Sequence, residues 1–61
     1  MNYLSKEEIE SEILLFLFYQ DQHLTLLYKA IVEKDENEKS FQIEQLKKVH
    51  VNLVELGYYE D

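Results

Sequence analysis

Chemistry in this chain would have to come from two imidazoles, His23 and His50, and from 13 carboxylates, because the 61 residues contain no cysteine, no arginine and a single glycine, Gly57. Neither histidine belongs to a ligand pattern. There is no His-Glu-x-x-His for zinc and no Glu-x-x-His of the kind that builds di-iron sites in helical bundles. Each is expected to be a partly exposed residue at a helix boundary, and no metal or cofactor is expected. Carboxylate pairs such as Glu7 with Glu10 and Glu8 with Glu12 do stand at helical spacing. General acid/base catalysis also needs a pocket and an orienting partner, which the sequence does not supply. With neither a Gly-rich phosphate loop nor a thiol nucleophile, the chain is not expected to be an enzyme.

The acids are better suited to act as a surface. Glu7, Glu8, Glu10 and Glu12 crowd one segment, Asp35, Glu36 and Glu38 crowd the middle of the chain, and Glu60 and Asp61 close it. Ordinary roles account for such groups, since first-turn acids complement the helix dipole and loop acids are solvated. A sharper use follows from their spacing. Carboxylates three or four residues apart stand about 5 to 6 Å from one another on a helix, so they imitate the charge pattern of a nucleic acid and suit a basic groove on a DNA-binding protein. Five tyrosines are many for this length. Tyr58 and Tyr59, which follow a helix stop, are the aromatic residues best placed to meet a partner, because tyrosine carries large contact area at low entropic cost.

These groups must be positioned by helices. Ser5 followed by Glu8 predicts a capping box, with Leu4 and Ile9 as its hydrophobic staple. Apolar residues then fall at Ile9, Ile13, Phe16, Leu17, Leu24, Leu27, Tyr28 and Ile31, the three-and-four spacing of one helical face, interrupted at Gln20. The first helix is therefore expected over about 6–34. The alternative is three shorter helices, with Asp21 capping a new one at a break near 20–22. The polar stretch from Glu33 to Ser40 holds the connection, where Asp35 with Glu38 is a second possible capping box and Asn37 and Ser40 compete as caps. Ile43, Leu46, Val49, Leu53 and Leu56 predict a second helix over about 38–56. Gly57 should end it in a Schellman motif with Tyr58 at C″ and Leu53 at C3. A short connection makes the helices antiparallel neighbours, so residues 1–61 are read as one all-α domain, a helical hairpin.

A hairpin does not absorb all the apolar residues. Ile13 to Tyr19 is apolar all the way round, and a second stripe of Leu14, Phe18, Thr25, Tyr28 and Val32 extends the excess. A helix apolar on every side is buried on every side. The expected relief is a homodimeric four-helix bundle with residues 13–19 near the twofold axis and Ile13, Leu14, Leu17 and Phe18 in the interface. Two other readings of the run are its burial under Tyr58 and Tyr59 within one chain, and a β-strand, which a position inside a capped helical pattern disfavours.

A formal charge of −7 argues against direct binding to nucleic acid, whose affinity comes from Lys and Arg releasing counterions, and against an acidic membrane surface. It favours a protein partner with a basic surface. At 46% hydrophobic the chain is too apolar for a disordered acidic tail. No basic n-region leads into an apolar stretch, and seven apolar residues fall far short of the ~18 that suggest a membrane span, so a cytoplasmic chain is expected. In size, acidity and lack of catalytic groups it resembles the small helical regulators of bacteria and their phages that bind and inhibit a larger protein: antirepressors, anti-sigma factors and kinase inhibitors. That resemblance is one of organisation and implies a noncatalytic, protein-binding regulator. It carries over no site residue. A helical dimerisation or assembly module is the alternative.

Overall fold

The computed structural model describes residues 5–59, in which two helices, α1 (Lys6–Val32) and α2 (Glu36–Glu55), pack against each other as a hairpin. Ser5 is the N-cap of α1, its backbone extended and its hydroxyl accepting the Glu8 N–H at 3.1 Å. Glu7 and Glu8 occupy the first turn, where the helix dipole favours them. Leu4, the outer half of the expected staple, lies outside the described residues.

α1 then runs 27 residues without a break, so the three-helix alternative does not describe the chain. Its polar cluster is accommodated within the helix. Thr25 Oγ1 donates back to the Asp21 carbonyl at 3.0 Å, which satisfies the threonine inside the helix, and no Gly or Pro interrupts the ladder.

The connection is tighter than the sequence suggests. Lys34 sits in the left-handed region with φ 57° and donates to the Ile31 carbonyl, while the Asp35 N–H donates to Ala30 at 2.9 Å. This is a Schellman stop built on lysine, and it ends α1 at Val32 rather than near 34. Asp35 immediately caps the next helix, its Oδ1 accepting the Glu38 N–H at 3.1 Å. α2 accordingly begins at Glu36, not 38, and Asn37 and Ser40 lie within it. At the far end Gly57, φ 82°, donates to Val54, and Tyr58 donates to Leu53, each at 3.0 Å. That is the Schellman stop expected there.

The hairpin core is narrow. Ala30, Val49 and Leu53 are its buried apolar residues, joined by buried Gln42. Half-buried Ile9, Ile13, Phe16, Gln20, His23 and Leu27 lead to Ala30 on α1, and half-buried Leu46 and Leu56 flank Val49 and Leu53 on α2. The result is a rod of 42 × 21 × 16 Å with a radius of gyration of 13.7 Å. A compact chain of this length would measure about 10.5 Å.

Candidate functional site

The helix–helix seam is built on seven-residue periods that include polar side chains. On α1 the residues facing α2 are 9, 13, 16, 20, 23, 27 and 30, at strictly alternating steps of four and three. This corrects the expected stripe: Tyr28 and Ile31 lie off the seam, 70% and 51% exposed, and Leu24, 50% exposed, reaches only the wall of an open groove beside it. Gln20, His23 and Ala30 take the seam instead. In the middle of the seam His23 Nδ1 lies 2.6 Å from Gln42 Oε1, and Gln42 Nε2 donates to Glu38 Oε1 at 2.7 Å. Directions follow from chemistry. A carboxylate only accepts, so the Gln42 amide turns its NH2 to Glu38 and its oxygen to His23, which must then donate from Nδ1. His23 is thus a mid-helix register pin rather than a boundary residue.

A second polar contact brings the tail back onto the hairpin. The Tyr59 hydroxyl accepts from Gln20 Nε2 at 3.2 Å, its ring stacks on exposed His50 with centroids 4.8 Å apart, and Tyr58 meets Tyr59 edge-on at 4.9 Å. Gln20 and His50 also line an open groove of about 510 Å³ between the helices, with Leu24, Ile43, Leu46, Lys47 and Val51 as its other walls. Tyr59 therefore stands at the rim of an apolar groove. The tail does not hide the apolar run, since Leu14 and Phe18 remain 68% and 57% exposed.

The expected interface residues do not share one face. Ile13 lies in the α1–α2 seam, Leu17 is half-buried at its edge, and Leu14 and Phe18 lie on the outside of α1. The exposed large apolar side chains of α1 are Leu14, Leu15, Phe18, Tyr19, Leu24, Leu26, Tyr28, Ile31 and Val32, far more surface than the three buried apolar residues represent. Contiguous patches of this kind mark sites of association.

The acidic residues are likewise divided. Glu7, Glu8, Glu10 and Glu12 lie on the first two turns of α1, and Asp35, Glu36 and Glu38 lie at the loop, roughly 40 Å away along the helix. The two ends differ in balance. Near the loop Lys29, Lys34 and Lys39 face Glu33, Asp35, Glu36 and Glu38, which leaves one net negative charge, and Lys39 pairs with Glu36 at 3.8 Å. At the open end, among the described residues, Lys6 alone opposes Glu7, Glu8, Glu10, Glu12 and Glu55, which leaves four. All of these open-end carboxylates are exposed, and Glu7, Glu8 and Glu12 line an open depression of about 440 Å³ together with Ser5 and Ser11.

No group of three or more His, Asp or Glu side chains capable of holding a metal ion occurs among the described residues. No helix among them is long and apolar enough to cross a membrane. Comparison with protein-family models, with curated proteins and with solved structures finds no match to this chain.

The groups that sequence reasoning missed are Gln20, His23 and Gln42. Their signal was present: each continues a seven-residue period, 13–16–20–23–27–30 on one helix and 42–46–49–53–56 on the other, once polar residues are allowed on the seam.

Proposed function

We propose that this chain is a small acidic, noncatalytic regulator that binds and inhibits a larger protein at a basic surface, working as a homodimeric four-helix bundle in the cytoplasm. The observation that carries it is the concentration of net negative charge on the open end of the hairpin, four units there against one at the loop. Carboxylates on successive turns form an array that steers toward a basic groove and competes with DNA for it, in the manner of an antirepressor. A noncatalytic role agrees with the use of both imidazoles, His23 on Gln42 and His50 beneath Tyr59.

The test is co-purification from the native host at about 0.05 and 0.5 M salt, with and without competitor DNA. Screening shortens the Debye length from roughly 14 Å to about 4 Å across that range. The expected partner is a DNA-binding protein that is lost at high salt, displaced by DNA, and not retained by a variant with Glu7, Glu8, Glu10 and Glu12 changed to Gln. A partner held regardless of salt, DNA and those four changes would overturn the acidic-mimic reading. It would leave the second one, a helical dimerisation or assembly module, which the exposed apolar side of α1 favours.

A further inference from the structure

The outside of α1 carries a second seven-residue period. Leu14, Leu17, Asp21, Leu24, Tyr28 and Ile31 follow at alternating steps of three and four. They form one stripe roughly a quarter turn from the stripe that meets α2. Only Asp21 in it is charged, and its apolar members other than half-buried Leu17 are at least half exposed. A quarter turn is the angle at which a helix in a four-helix bundle meets its second neighbour.

Area argues that the occupant is a second copy. The chain exposes 5104 Å², whereas a folded monomer of 7.4 kDa exposes about 4,200 Å². The excess of roughly 900 Å² is close to the ~800 Å² that each partner contributes to a standard stable interface.

We propose that the stripe packs on the same stripe of a second chain, with the two α1 helices antiparallel about a twofold axis between Gln22 and His23. Leu14 then faces Ile31, Leu17 faces Tyr28, and Asp21 faces Leu24. The inference rests on the homodimeric reading above and adds the face, direction and register. Direction follows from charge. A parallel pair would set Asp21 against its own copy inside an apolar seam, and would bring together two open ends that each carry four net negative charges. The antiparallel pair staggers the two Asp21 residues by about 4.5 Å along the seam, so that each faces Leu24 rather than its own copy. It also opposes the helix dipoles and lays each acidic end beside the nearly neutral loop end of the other chain.

The absence of native cysteine makes a direct test simple. Sedimentation equilibrium at about 20 μM gives the mass, and electron–electron distance measurements on spin-labelled Ser11→Cys and Thr25→Cys give the geometry. Both sites are exposed on the outside of α1 and project in the same direction, so neither label enters the seam. With the axis between Gln22 and His23, the Thr25 labels are offset along the helix by only about 8 Å and the Ser11 labels by about 35 Å. The expected result is a dimer mass, with the Ser11 pair farther apart than the Thr25 pair by roughly 20 Å at an interaxial spacing of 8–10 Å. A dimer with equal distances at the two sites, or with Ser11 the closer, overturns this seam and leaves the homodimer standing. A mass of one chain overturns both.

Discussion

Gln42 shows how one polar side chain selects a register. It is 2% exposed, yet both ends of its amide are satisfied, by His23 across the seam and by Glu38 one turn back. An apolar residue in its place would bury as well and slide more freely. The amide accepts only from a donor placed where His23 stands, so a shift by one turn would leave the buried Gln42 oxygen and the half-buried His23 N–H unpaired, at about 1–3 kcal/mol for the buried group. Gln42→Ala is expected to lower stability by about 1–3 kcal/mol, because the His23 Nδ1–H loses its acceptor in a half-buried site. Urea unfolding of the variant checks this, and an unchanged midpoint would show that the seam is held by its apolar residues alone. Neither residue stood out in the sequence, because a search for apolar periodicity passes over a glutamine and a histidine. Leu24, Tyr28 and Ile31 were drawn into the inner stripe for the matching reason: on a helix apolar nearly all round, more than one three-and-four path can be traced, and only the position of α2 chooses between them.

At the scale of elements, the ends of the helices were more legible than their faces. Caps are local chemistry. Ser5, Asp35 and Gly57 each declare themselves within four residues: Ser5 caps α1 and Gly57 stops α2 as expected, and of the three competing caps Asp35 is the one used, with the side chains of Ser5 and Asp35 each accepting the N–H three residues on. The connection was harder because its left-handed residue is Lys34, with no glycine to announce it. Asp35 is shared there by the stop of α1 and the start of α2, which compresses the loop to Glu33, Lys34 and Asp35. A non-glycine residue in this region carries a steric cost of roughly 1–2 kcal/mol between Cβ and the following carbonyl. Lys34→Gly removes the Cβ, and the loss is offset in part by the greater freedom of glycine in the unfolded chain. The variant is expected to be more stable by about 1 kcal/mol, seen as a rise in melting temperature of several degrees at fixed protein concentration. A fall would mean that the Lys34 side chain contributes more than its backbone costs.

For the whole molecule, the decisive imbalance is between a core of few buried residues and a 42 Å rod whose longer helix is apolar on its outside. Composition showed this excess, and the fold places it, chiefly on α1, since α2 covers only one stripe of that helix. Ordering costs of about 1.5 kcal/mol per residue nearly cancel hydrophobic gain at this length, so a hairpin with so thin a seam needs further burial to be stable. If that burial comes from a second copy, folding and association are one equilibrium, and mass action sets the melting temperature. Raising the concentration a hundredfold then adds about 2.7 kcal/mol per dimer. Divided by an unfolding entropy near 0.26 kcal/mol per kelvin for two chains, this corresponds to a rise of roughly 10 °C. Circular dichroism melts at about 2 and 200 μM should show that shift, with a single cooperative transition at each concentration. Tyr28→Glu should abolish it, because Tyr28 lies on the outer stripe, 70% exposed and outside both the α1–α2 seam and the groove beside it, so a charge there meets only the second chain. A melting temperature independent of concentration in the unmodified chain would mean that the hairpin is stable alone, and that its outer stripe serves some protein other than itself.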